Sequence, residues 1–121
     1  MMASAHTPAV VPMREWKWSP QEKALARRTF DLALTRELQG LVREAKDRAA
    51  RITEAPDLWE LERWLGERRR QIDELFDYRY SVLPRVFARL LRARQISDDD
   101  LRGLAPEKLD EIRLMAQIRL D

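Results

Sequence analysis

The side chains that could carry chemistry are few, and their spacing argues against catalysis. The only histidine is His6, close to the N-terminus, and there is no cysteine. Thiolate nucleophiles, disulfides, His-based triads and zinc sites therefore have no members. Asp73 and Asp77 stand four apart and could hold a hard cation or share a proton. They lie among Arg69, Arg70 and Arg79, however, so ion pairing is the expected use. Asp98, Asp99 and Asp100 lack the alternating spacing of a calcium loop and suit a helix start instead. No glycine-rich phosphate loop occurs. The chain reads as a non-enzyme without metal or cofactor.

What remains is arginine. Between Arg79 and Arg94 there are five arginines and no acid, and Arg85, Arg89 and Arg92 fall on one helical face. Three readings stay open. The stripe could pair with the segment from Ser97 to Asp121, which holds seven acids against four bases. It could meet an acidic protein surface, or it could meet phosphates. Elsewhere the 23 basic and 21 acidic residues are interspersed, for a net charge of +2, the pattern of a solvated helix surface. No nucleic-acid partner is expected from that pattern.

The elements that carry these residues are helical. Of 121 residues 45% are hydrophobic and 36% charged, with strong helix formers dominant and only three glycines. No uninterrupted apolar run approaches a membrane span, so no membrane insertion is expected. The N-terminus lacks the pattern of a signal peptide, and a cytoplasmic location follows as the expectation. Residues 1–18, with Pro8 and Pro12, are expected to be a disordered or loosely docked arm. Trp16 and Trp18 at its end should lean on the first helix or on a partner subunit. Ser19, Pro20 and Glu22 form a capping box. From there Leu25, Phe30, Leu34, Leu38, Leu41, Val42, Ala45, Ala49 and Ile52 recur three or four apart, almost to Thr53. Pro56 marks the first break, with Asp57 or Thr53 as the next cap. A second helix carries Leu58, Leu61, Leu65, Ile72, Leu75 and Phe76. Pro84 predicts a break or kink near residues 80–83, and a third helix should end around Arg94. Ser97 opens a short turn up to Gly103, and Pro106 starts a last helix with Leu109, Ile112, Met115 and Ile118 on one face.

A helix from Pro20 to Thr53 would be about 50 Å long at 1.5 Å per residue, against a diameter of about 35 Å for a globule of this size. Its apolar stripe nonetheless runs its whole length. A second copy would cover the overhang and give a symmetric dimer. The alternative is a kink at Gly40 that folds the helix back as two. The expected fold is all-α: a long N-terminal helix forming a dimer stalk over about residues 19–75, and a small helical head over about 76–121, in one domain from 19 to 121.

Several segments then resemble a known family. Asp57-Leu58-Trp59-Glu60-Leu61, then Ile72-Asp73, then Asp77-Tyr78-Arg79-Tyr80-Ser81-Val82-Leu83 and Val86-Phe87-Ala88 are similar to the core of the fluorescence recovery protein family. Trp18, Ser19 and Glu22 upstream, and Asp100-Leu101, Leu104 and Lys108 downstream, extend the likeness from about Trp18 to Ile118. The resemblance implies a dimer, or a higher oligomer, with a helical stalk and a smaller head, no catalysis and no cofactor. It implies binding to the photoactivated orange carotenoid protein, mainly to that partner's C-terminal domain. The effect would be a faster return to the resting orange state and an end to photoprotective quenching at the phycobilisome.

By the same resemblance Trp59 matches a tryptophan at the dimer interface, and Arg69 a basic residue tied to activity. On a helix Trp59, Glu62, Arg63, Gly66 and Arg70 share a face too polar for a simple core, which favours an interface anchored by the tryptophan. Ordinary core packing of Trp59 is the alternative. In the head, Arg79, Arg85, Phe87 and Glu111 are the expected partner contacts. Three positions depart from the family pattern: Arg63 in place of an Asp, Arg85 in place of a Phe, and Glu111 in place of a Lys. Reversed charges at a contact weaken old complementarity. A second expectation is therefore the same scaffold with a different protein partner, in a bacterium without phycobilisomes.

Overall fold

The computed structural model describes residues 12–118; His6 and the arm up to residue 11 lie outside them. Helix α1 runs Pro20–Ala50, α2 Ala55–Leu75, α3 Leu83–Arg92 and α4 Pro106–Gln117, with 3-10 turns at Met13–Glu15 and Asp98–Leu101. Among the described residues no helix is long and apolar enough to cross a membrane.

Each helix starts where a local signal stands. The Ser19 hydroxyl accepts the Glu22 backbone N–H at 3.1 Å while Glu22 accepts the N–H of Ser19 at 3.0 Å, and Pro20 takes the first position of α1, where a missing N–H is harmless. The helix is unbroken through Gly40, so the kinked alternative does not hold, and its 31 residues extend about 46 Å. It stops at Ala50, short of Thr53, because the next cap takes over there. One oxygen of Asp57 accepts the backbone N–H of Thr53 at 3.0 Å and that of Glu54 at 3.2 Å. The break after α2 covers residues 76–82, broader than the kink predicted near 80–83. Pro84 falls in the first turn of α3, so it opens a helix where the sequence pattern suggested that it interrupts one.

The core lies at one end of the molecule. Leu25, Ala26, Phe30 and Ala33 of α1 pack with Leu83, Val86, Phe87 and Leu90 of α3, with Leu101 and Leu104, and with Ile112 of α4. The head thus takes in the first four turns of α1. Beyond Ala33, α1 and α2 form a hairpin in which only Ile72 is buried.

The segment ahead of α1 is docked from Trp18 onward. Trp18 meets Tyr80 in a tilted contact at 5.4 Å, Tyr80 meets Tyr78 at 5.6 Å, and Tyr78 meets Phe30 edge-on at 4.9 Å. These ring contacts pin the 76–82 segment and the end of the arm to α1. Trp16 joins the same seam, 6.4 Å from Trp18.

Candidate protein-interaction surface

The first half of the candidate surface is built on α2. Trp59 is 57% exposed, Leu58 47% and Leu65 36%. With Leu61 and Glu62 they line a shallow, largely apolar groove. The alternative of Trp59 as a core residue therefore fails within this chain. Across the hairpin Leu38 and Val42 of α1 are also exposed, at 44% and 53%. Large apolar side chains uncovered along both helices are the composition of an interface rather than of a solvated stalk. Glu62, Arg63 and Arg69 are exposed, as is Arg70, while Gly66 is half-buried.

Contacts distant in sequence set the direction of this hairpin. Arg68 of α2 donates to Glu37 of α1 at 2.5 Å, and Gln95 donates to the other oxygen of Glu37 at 2.9 Å. Arg36 donates to the Gln95 carbonyl at 2.8 Å. Nearer the tip, the Arg48 guanidinium lies 4.2 Å from the centre of the Trp64 ring. Glu37 thus ties stalk to head. Sequence reasoning missed it, because residues 31 and 58 positions apart leave no local pattern.

The second half is on the head, and it divides the predicted contacts. Arg79 is occupied. It donates three hydrogen bonds to Asp77 at 2.9, 3.0 and 2.5 Å, which hold the Asp77 carboxyl below its usual range. Asp77 is thus ion-paired, and among the described residues no group of three or more acids or histidines is placed to hold a metal. Phe87 is a correction: it is fully buried. It lies with Val86 and Leu90 on the core side of α3, whereas Arg85 and Arg89 point outward. Glu111 is half-buried on α4.

Four of the acids expected to neutralise the arginine stripe are paired elsewhere. Asp98 meets Arg113 at 3.3 Å, Asp99 meets Arg102 at 2.6 Å, Asp100 meets Arg36 at 3.4 Å and Asp110 meets Arg113 at 3.6 Å. Arg92 donates to the Ile118 carbonyl at 3.3 Å. Arg85 and Arg89 are exposed, and neither forms an ion pair with a described residue.

One further cluster went unread in the sequence. Lys108 of α4 is buried against Glu22 and Trp18, so the capping glutamate of α1 is also a tertiary contact. Burial, with Tyr80 alongside, pushes the Tyr78 phenol up to about 12, and the Arg27 guanidinium lies 4.4 Å from the centre of its ring. These groups are structural. They fix α4 and the 76–82 segment against α1, and with them the outward face of α3.

Known proteins match this arrangement along most of its length. Residues 18–116 match the family described as photoprotection regulator fluorescence recovery protein. The fluorescence recovery protein of Synechocystis sp. PCC 6803 is 36% identical over 104 residues, covering 86% of this chain and 95% of that protein. Its solved structure superposes with a TM-score of 0.81 at 36% identity, over 84% of this chain and all of that one. The fluorescence recovery protein of Fremyella diplosiphon gives the same TM-score, identity and coverage. With a matching sequence pattern, an all-α fold in common and a relative of this similarity, the chain belongs to the fluorescence recovery protein family.

Proposed function

We propose that the chain is a non-catalytic, cytoplasmic regulator that binds photoactivated orange carotenoid protein, on that partner's C-terminal domain. It speeds that protein's return to the resting orange form and so ends photoprotective quenching. The working unit is a homodimer joined along the α1–α2 hairpin. The observation that carries this reading is the uncovered face of that hairpin, with Trp59 at 57% exposure and Arg69 two turns or more further along α2. A binder of this kind needs no cofactor. It acts by preferring a conformation between the resting and activated states, and can shift the equilibrium only as far as its affinities for them differ. The test is to add the chain to photoactivated orange carotenoid protein in the dark and follow red-to-orange recovery by absorbance. Acceleration at equimolar ratio supports the reading, and an unchanged rate at or above that ratio overturns it.

A second reading keeps the dimer and changes the partner. It is favoured by Arg63 and Arg85, both exposed, and by Glu111, the three positions that depart from the family pattern. A charge of the wrong sign at a contact repels the old partner and can select a new one. Affinity capture from the native host decides between the two: a recovered protein other than an orange carotenoid protein supports this reading, and recovery of no protein counts against it.

A further inference from the structure

Five helical segments of this chain carry carboxylates in their first turn: Glu15 in the 3-10 turn Met13–Glu15, Glu22 in α1, Asp57 in α2, Asp98 to Asp100 in the second 3-10 turn, and Glu107 in α4. This is the placement that the helix dipole favours. Helix α3 carries none. Its first turn holds Arg85, a cation at the positive end of the dipole, so folding alone gives no reason for an arginine there. The other end of α3 shows a second misfit. The Gln95 N–H returns to the Leu90 carbonyl at 2.9 Å, closing the helix in the manner that places a left-handed residue at position 94. Glycine is the default residue for that conformation, yet Arg94 occupies it with φ 60°. Arg85 at the start of α3 and Arg94 just past its end thus stand where the dipole, for the first, and the backbone conformation, for the second, work against local stability.

We propose that Arg85, Arg89 and Arg92, with Arg94 at their end, are the contact for an acidic, carboxylate-bearing surface of the protein partner. The inference rests on the head being the partner-binding region and names the chemistry that the head recognises. The three stripe arginines span about 10 Å, and none of them is neutralised by a carboxylate among the described residues. Two features select a protein surface over a nucleic acid. Leu114 and Ile118 of α4 are exposed at 51% and 47%, and the Ile118 carbonyl is the group that Arg92 contacts. Arginine beside exposed apolar side chains is the composition of a protein contact, and a phosphate backbone offers those side chains nothing. The neighbouring turn and helix carry the exposed acids Asp98, Asp99 and Asp110. With the ion pairs they make to Arg102 and Arg113 they interrupt the basic surface around the stripe, which leaves a short patch and no continuous basic track for a nucleic-acid backbone.

The experiment uses the full chain with two fluorescein-labelled probes, a decaglutamate peptide and a short duplex DNA, read by anisotropy at low and raised salt. The peptide should bind at low salt and weaken as salt rises. The double variant Arg85→Glu/Arg89→Glu should lose about tenfold or more in affinity. Arg43→Glu/Lys46→Glu makes the same change in charge on α1 and should lose less than about twofold. Arg85→Glu and Arg94→Gly should each raise the melting temperature while weakening the peptide, which separates lost contact from lost fold. Equal losses in both double variants, no peptide binding, or tighter binding of the DNA would each overturn the proposal. A carotenoid-protein arm keeps the two ideas apart. If the wild-type chain accelerates recovery and Arg85→Glu/Arg89→Glu does so equally, the acidic contact fails and the proposed function stands. If the wild-type chain does not accelerate recovery while peptide binding depends on the stripe, the reverse holds.

Discussion

Lys108 of α4 donates to Glu22 of α1 across 2.7 Å, and their side chains are only 10% and 9% exposed. The same ammonium donates to the Lys17 carbonyl at 2.5 Å and lies 4.8 Å from the centre of the Trp18 ring. Glu22 in turn accepts the Ala105 N–H at 2.9 Å. One ion pair therefore joins the end of the arm, the start of the long helix and the last helix of the head. Removing one member of a buried pair strands the other without compensation. Lys108→Met should cost about 3–5 kcal/mol in urea denaturation, and adding Glu22→Gln should recover part of the loss. A cost under about 1 kcal/mol for the single variant would show that the pair is not the tie described.

The same pair sets an acid limit. Burial alone would raise the Glu22 carboxyl, but hydrogen bonds from Lys108, the Ser19 N–H and the Ala105 N–H outweigh it and lower the group from 4.5 to about 2. A depressed folded-state value means stability that is complete above the unfolded value and lost as pH falls toward the folded one. The unfolding free energy should therefore decline between about pH 4.5 and 2, by on the order of 3 kcal/mol for this group, with a falling melting temperature. Glu22→Gln should start lower and decline less across that window, and parallel profiles for the two proteins would contradict the assignment.

Phe87 separates core from contact. It is fully enclosed, so Phe87→Ala should cost about 3–5 kcal/mol through lost burial and an incompletely collapsed cavity. Phe87→Leu, which keeps much of the volume, should cost about 1.5 kcal/mol or less. A contact residue on the surface would change stability by no more than about 0.5 kcal/mol. Denaturation midpoints of the two variants decide the matter without any partner.

In the proposed dimer the exposed stripe of the α1–α2 hairpin forms the interface. Trp59→Glu or Leu38→Glu places a charge in what should become a dry interface, and either should convert the dimer to monomer or to an unfolded chain. Sedimentation gives the mass, and far-ultraviolet circular dichroism separates monomer from unfolded protein. Unchanged mass and stability in both variants would refute the stalk interface.

Much of the secondary structure was legible because its causes are local. The Ser19–Glu22 box, Pro56 with Asp57, Ser97 and Pro106 each act within one helical turn, so their spacing alone marks where helices begin, whereas Pro84, which reads as a break inside a helix, opens α3. The candidate surface was legible in part. Trp59, Arg63 and Arg69 are exposed as the polar face of α2 implied, and the Arg85–Arg89 face points outward. Phe87 was misread, because its resemblance to a contact position says nothing of which side of α3 meets the core. That side is chosen by Leu25, Phe30 and Ile112 on other helices.

The sequence by itself determined the absence of any Cys and of all but one His, the helix starts and the long apolar stripe, since composition and one-turn spacing suffice for each. Only the tertiary structure decided that Glu37 meets Arg68 across 31 residues, that Thr29 donates to the Asp100 carbonyl across 71, and that Glu22 meets Lys108 across 86. It alone also left Arg85 and Arg89 without carboxylate partners among the described residues. The physical reason is the range of the forces. Capping and helix periodicity act between neighbours in the chain, whereas burial and ion pairing act between neighbours in space, and those are chosen only when α1, α3 and α4 close around one core.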